Sequence, residues 1–213
     1  AHGRWILFLA LDLLASPNLL ERHVCAQEIH EGNVLAVGSI SPHPQLPPAS
    51  LTHWFLPQDR RHLQPGAVPH FLDCCGYNLS LPSRMIRDSG GFDESFLLAQ
   101  FDDAELVWRL LERDIQACYV DEAYGYVWRP TSFEAEQQRQ YERGYSLFRL
   151  EQITQSKDIA RRFPVRRNAI RTGIDALVMP FYVRACQQAE AEDIRLLGHV
   201  YRRVLRHAFL AGY

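Results

Sequence analysis

The sequence predicts an α/β protein: a sheet flanked by helices, followed by a helical extension at the C-terminus. Three observations carry this expectation. Residues Gly3 to Asp12 hold a continuous apolar run of strand length, Trp5-Ile6-Leu7-Phe8-Leu9-Ala10-Leu11, that ends in a carboxylate. A strand without alternation belongs where both faces are covered, as in the middle of a parallel sheet. Helix signals follow at once over Leu13 to Val24, with Ser16-Pro17 as cap and first turn and Leu19, Leu20 and His23 at helical spacing. The third observation is a change of character after about residue 156, where two apolar stripes recur at the helical period.

The remaining elements follow in order. Asn33 to Ile40 reads as a second strand. Ser41 to Ser50 carries Pro42, Pro44, Pro47 and Pro48, a density that suits an extended loop rather than a helix or sheet interior. Leu51 to Leu56 suits a short helix bearing Trp54 and Phe55, and Gln58 to Pro69, rich in Arg, His and Pro, a further loop. Phe71 to Leu81 reads as a strand with Cys74 and Cys75 buried, leading to Asn78 and Ser80. The pair Gly90-Gly91 marks a turn, since glycine permits positive φ and close backbone approach. Leu106, Leu110 and Leu111 then recur at helical spacing, with Asp102 and Asp103 where the first turn begins. Ile115 to Tyr119 is a short strand, followed by Glu122 to Pro130. In the extension, Ile170, Ile174, Leu177, Val178 and Phe181 form one apolar face, and Leu196, Leu197, Val200, Tyr201, Val204, Leu205 and Phe209 another. We read these as helices packing on the acidic domain with a solvated arginine-rich side; the alternative is an interfacial, membrane-facing helix pair.

Composition narrows the class. A chain of 213 residues, 47% hydrophobic, can bury a substantial core. Its longest apolar run is too short to span a bilayer and lacks the flanks of a signal peptide. The five cysteines, Cys25, Cys74, Cys75, Cys118 and Cys186, show no zinc spacing and suggest a reducing, cytoplasmic compartment. No nucleic-acid motif is present. Charge is uneven: residues 1–156 carry 12 basic and 20 acidic side chains, residues 157–213 carry 11 and 5. That asymmetry sets an expected boundary between a domain at 1–156 and a basic amphipathic extension at 157–213.

Two adjacent carboxylates opening a helix accept orphan backbone N–H groups and complement its dipole, so Asp102 and Asp103 serve as capping residues at the least. Their surroundings point further. Asn78-Leu79-Ser80, Gly90-Gly91-Phe92-Asp93-Glu94 and Asp102-Asp103-x-Glu105-Leu106-x-x-Arg109-Leu110, in this order, resemble the acceptor-side half of family 2 glycosyltransferases. These are inverting, nucleotide-sugar-dependent enzymes of the GT-A fold. Leu9-Ala10-Leu11-Asp12 resembles the family's Phe-Leu-Asp-Asp-Asp strand, with Asp12 at the third aspartate and Ala10 and Leu11 in the first two places. The resemblance covers about residues 2–150.

The resemblance implies an incomplete GT-A sheet, a Rossmann-like arrangement, and transfer of a sugar from a UDP- or GDP-type donor to a glycan or lipid-linked hydroxyl acceptor. Asp103 would be the general base and Asp102 its electrostatic neighbour. Asn78, Ser80, Gly90, Gly91 and Trp128 would shape the sugar and acceptor pocket, and Asp12 would hold a divalent cation, Mn²⁺ or Mg²⁺. Hard cations want oxygen ligands, and the family often has a histidine where Trp128 stands; indole cannot ligate a cation. Ala10 and Trp128 therefore favour a rival expectation, a non-catalytic binding or assembly module on the same framework. In the family the Phe-Leu-Asp strand is preceded by the βαβ units that hold base and ribose, so a fragment, a partner chain or self-association completing the fold, or loss of donor binding are all open. The basic extension adds peripheral membrane contact, at the inner face, as a further expectation.

Overall fold

The computed structural model describes residues 2–47, 51–52, 63–98, 100–113, 115–165, 169–192 and 198–213. Among these it is a mixed α/β protein with a five-stranded mixed sheet and seven helices. The strands are β1 (Trp5–Leu9), β2 (Leu13–Ala15), β3 (Val34–Pro42), β4 (Asn78–Pro82) and β5 (Gln116–Val127), in the sheet order β1-β4-β3-β5-β2. β4 runs antiparallel to both β1 and β3, β3 and β5 are parallel, and β2 is antiparallel to β5.

The chain divides into two compact units. The first comprises Ala1–Pro47, Phe55–Ser95 and Asp102–Arg129 and contains the sheet. Its helices are α1 (Leu19–Ile29), α2 (Ser83–Ser89) and α3 (Asp102–Leu111). Val34 to Val37 are fully buried, as a central strand requires, and Leu19, Leu81, Leu106 and Leu110 fill the space between sheet and helices. The α3 stripe falls where the spacing predicts, with Leu106, Val107 and Leu110 inward.

The opening strand differs from its expectation. β1 lies at a sheet edge, pairs among the described strands with β4 alone, and pairs antiparallel rather than parallel. Four of its residues are half-buried and Leu9 is exposed. An apolar run specifies a strand but not its neighbours, and here the hairpin-like return through β2 takes the chain away to the opposite edge. Leu13–Ala15, expected as helix, forms that return strand, and α1 starts only after Ser16-Pro17-Asn18. Likewise the predicted strand at Phe71 begins instead as a 3₁₀ turn, Phe71–Asp73, and becomes a strand at Asn78. The expected helix over Leu51 to Leu56 and the loop after it fall mostly outside the described residues.

β3 and β5 slip register between Gly38 and Ser39, where Asp121 to Ala123 of β5 have no opposite residue. Extra residues in one strand leave backbone groups unpaired. The side-chain amide of Asn78 meets this break: Nδ2 donates to the carbonyls of Ser39, 3.1 Å, and Ala123, 2.7 Å.

The second unit comprises Pro48–Trp54, Phe96–Phe101 and Pro130–Tyr213. Its helices are α4 (Phe133–Thr154), α5 (Lys157–Arg162), α6 (Ala169–Ala191) and α7 (Gly198–Gly212). The division falls after Arg129 rather than at residue 156, because α4 packs with the extension: Phe133, Leu147 and Leu150 are buried with Val204, Leu205 and Ala208 of α7. The two backbones meet at glycines. A Cβ on Gly144 would land on the Phe209 carbonyl oxygen, and one on Gly212 on that of Tyr141. Val204 and Leu205 of the expected α7 face thus point inward, as the spacing predicts, while Leu196 and Leu197 lie outside the described residues. The α6 face does not. Among its residues whose side chains are described, Met179, Cys186 and Ala189 are buried, whereas Ile174, Leu177 and Phe181, expected to pack, are 53%, 75% and 73% exposed; the Ile170 side chain lies outside the described residues.

Candidate functional site

The end of β1, the end of β5 and the turn before β4 converge. Ala10 N–H donates to the Tyr77 carbonyl, 3.2 Å, and Leu13 N–H to that of Ala10, 3.1 Å, which closes a tight turn bearing Asp12. The Asp12 carbonyl accepts from Trp128 N–H, 2.8 Å, so strand pairing itself sets Asp12 beside Arg129. Arg129 Nη1 donates to the Tyr77 hydroxyl at 2.6 Å and lies 3.6 Å from Asp12 Oδ2; the Arg129 side chain is only 11% exposed. Burial pushes the Tyr77 hydroxyl up from its ordinary pKa; Arg129 pulls it down, and Asp12 and Cys75 push it further up. The hydroxyl therefore stays neutral. While it accepts from Arg129 it keeps one proton to donate.

One residue earlier the same turn meets the acidic pair. Gly76 N–H donates to Asp103 Oδ2 at 2.7 Å, and Ala104 N–H donates to Oδ1 at 2.7 Å. Asp103 is thus held by two backbone amides, one of them in its own helix's first turn. Asp102 is half-buried at the first helical position and carries no side-chain hydrogen bond among the described residues. Asp12, Tyr77 and Arg129 on one side, and Asp102 and Asp103 on the other, are joined through Gly76-Tyr77 at one end of the sheet.

Trp128 is 41% exposed and forms the outer wall of this region. Its ring meets that of His43 edge-on, with centroids 4.9 Å apart, and His43 in turn meets Tyr126 at 5.5 Å. His43 is positioned by its own N–H donating to the Val127 carbonyl, 3.0 Å, and its Nδ1 accepts from Gln45 N–H, 3.1 Å. An imidazole therefore does lie against position 128, supplied from the end of β3.

The other residues singled out in the sequence make structural contacts. Asn78 is fully buried, and Ser80 is 2% exposed. Asn78 Oδ1 meets His23 Nε2 at 2.7 Å, Ser80 Oγ meets His23 Nδ1 at 2.9 Å, and Gln27 Nε2 donates to Ser80 Oγ at 3.0 Å. An amide oxygen only accepts, so Nε2 carries the proton, and the Ser80 hydroxyl donates to Nδ1 while accepting from Gln27. These four side chains fasten α1 to the sheet. Gly90 and Gly91, at φ of 84° and 80°, end α2: Gly90 N–H donates to the Arg87 carbonyl and Gly91 N–H to that of Ile86. Arg109 clamps this turn, donating to the Ser89 carbonyl at 2.8 Å and that of Gly91 at 2.7 Å, while Glu105, 2% exposed, holds it at 2.6 and 2.8 Å. The glycine turn is thus part of the clamp that orients α3.

A divalent cation needs several oxygen or imidazole donors. Among the described residues no group of three His, Cys, Asp or Glu side chains converges. Asp12 already faces the Arg129 cation, so these residues alone do not fit such an ion. What they do fit is an anion, met by a buried guanidinium and a neutral phenol, next to an oriented carboxylate able to accept a proton. A separate groove of about 690 Å³ in the second unit is lined by Ser132, Glu134, Gln138, Tyr141 and His207 and holds none of these groups. No protein-family model matches the chain, and no curated protein matches it.

Proposed function

We propose that the protein belongs to an inverting glycosyltransferase that moves a sugar from a UDP- or GDP-type donor to a hydroxyl of a glycan or lipid-linked acceptor, at the inner face of a membrane, on an incomplete GT-A sheet. The observation that carries this reading is the junction at Gly76-Tyr77. It brings the Asp103 carboxylate and the Asp12–Tyr77–Arg129 cluster to the same end of the sheet. Asp103 accepts the acceptor's proton as that oxygen bonds to the anomeric carbon, and the bond from that carbon to the diphosphate oxygen breaks on the opposite face. Two amides fix its direction. Asp102 adds negative potential that favours the proton's transfer. The departing diphosphate gains negative charge, which Arg129 and the Tyr77 hydroxyl meet. Trp128 offers its exposed face to a sugar ring.

One observation favours the second reading, a non-catalytic binding module. Both Asp103 oxygens already accept from backbone amides, as a purely structural first-turn carboxylate would. Calorimetric titration with UDP and GDP, with and without Mn²⁺, separates the two, followed by a transfer assay on the wild type and Asp103→Asn. The expected result is nucleotide binding by both proteins, with transfer by the wild type alone. A folded chain that binds neither nucleotide shows that these residues alone make no donor site and favours the module; turnover retained in Asp103→Asn removes Asp103 from the chemistry.

A further inference from the structure

The least expected surface is on α6. Ile174, Leu177 and Phe181 recur at helical spacing on one face and are 53%, 75% and 73% exposed. Exposed apolar side chains scattered singly need no explanation, but three large ones aligned on one helix do. Arg184, exposed and one turn beyond Phe181, continues the same face. Between Ile174 and Arg184 the sole carboxylate is Asp175, and it is turned aside: Arg203 Nη2 of α7 holds its Oδ1 at 2.7 Å. Farther along, Glu190 accepts from Phe133 N–H at 2.8 Å. The acidic side chains of α6 over this stretch therefore serve internal contacts, and the outward face is apolar with a cation at its end.

The chain just ahead of the stripe is basic. Lys157, Arg161 and Arg162 are exposed on α5, and the sequence adds Arg166, Arg167 and Arg171 before Ile174. Asp158 is the one acidic residue in that stretch, and it pairs with Arg161 at 3.0 Å. No helix among the described residues is long and apolar enough to cross a membrane. A short apolar face that ends in a cation and is preceded in the sequence by a basic stretch suits a surface that is apolar just beneath a layer of negative charge. We propose that α6 docks on an anionic lipid bilayer, with Leu177 and Phe181 in the headgroup–acyl boundary and Arg184, together with the basic stretch that precedes the helix in sequence, on the lipid phosphates. The apolar face alone binds weakly and reversibly, so the two signals act together.

Co-sedimentation of the full chain with vesicles of phosphatidylcholine, with and without phosphatidylglycerol, tests this directly. The expected result is binding to the anionic vesicles that weakens on raising salt, and at least about a tenfold loss of affinity in Leu177→Asn/Phe181→Asn. Because both side chains are exposed, that variant should keep the wild-type melting temperature. Arg184→Glu should weaken anionic binding while leaving the little binding to neutral vesicles unchanged. No binding to either vesicle, equal binding to both, or full binding by the Leu177/Phe181 variant overturns the proposal. A wild-type dimer that the same variant makes monomeric, with no vesicle binding by either, assigns the stripe to a second copy of the chain instead. None of these readouts depends on nucleotide or sugar transfer.

Discussion

Replacing Asn78 with alanine tests whether this residue is a structural clasp or part of a sugar pocket. The substitution orphans three groups in the core: the Nε2 proton of His23, and the carbonyls of Ser39 and Ala123 at the β3–β5 register break. A buried donor left without a partner costs about 1–3 kcal/mol, and carbonyls, which keep a second lone pair, fall at the low end. Taking about 2 kcal/mol for the imidazole and about 1 for each carbonyl gives roughly 4 kcal/mol, against the 5–15 or so that hold a typical domain together. Urea unfolding followed by tryptophan fluorescence is the assay, because Trp5, Trp108 and Trp128 all lie in the first unit. With a slope of about 2 kcal/mol per molar urea, the midpoint should fall by roughly 2 M. Asn78→Asp should cost at least as much, since it points a carboxylate at two carbonyl oxygens. A midpoint lowered by less than about 0.5 M would refute the clasp, for then water fills the site or the three groups find other partners. If nucleotide or sugar binding fell while stability held, the pocket role would be restored to Asn78.

Two further outcomes follow from burial and close approach. Gly144→Ala and Gly212→Ala each drive a Cβ into backbone of the facing helix, which cannot swing aside, so each should destabilise by about 3 kcal/mol and lower the melting temperature by roughly 10 °C or more; an increase, as helix propensity alone predicts, would show that the helices separate freely. Cys186 is buried and its thiol is pushed up to about 11, whereas Cys25 is exposed. Iodoacetamide at about pH 8 should label Cys25 and spare Cys186, since the thiolate is the nucleophile. A thiol raised in the fold contributes stability that is whole below the ordinary thiol pKa and is lost as pH rises toward 11, so mass spectrometry should find Cys186 labelled only in that alkaline range.

What local signals encode was legible. The start of α3 at Asp102-Asp103 and the turn at Gly90-Gly91 are each written in a few adjacent residues, and β3 in a run of apolar ones; the helix α2 that this turn ends was not read. The partners of those residues were not. Arg129 meets Asp12 and Tyr77, and Trp128 meets His43, across separations that no period or motif spans. Arg129, Tyr77 and His43 were accordingly missed as site residues, although arginine directly after the tryptophan was visible in the chain. Asn78 and Ser80 were singled out by the family resemblance, as the Asn-x-Ser of an otherwise apolar strand. Polarity alone does not say whether water, a ligand or a buried histidine satisfies the group, and His23 on α1 settles it.

The α6 helix shows the limit most clearly, because its period was right and its face was not. A 3.6-residue repeat establishes that a helix has two sides. The larger aliphatic and aromatic side chains then suggest which side is buried, since they gain most from leaving water. Here the buried side carries Met179, Cys186 and Ala189, and the exposed side Ile174, Leu177 and Phe181. The choice is made by two polar anchors on the packed side. Asp175 must reach Arg203, and Glu190 must reach the unpaired N–H at the first residue of α4. Turning the helix to bury the larger stripe would tear a carboxylate from each partner and leave Arg203 of α7 without its carboxylate. Three exposed apolar side chains are the cost of keeping those bonds, a cost that disappears if a lipid surface covers them.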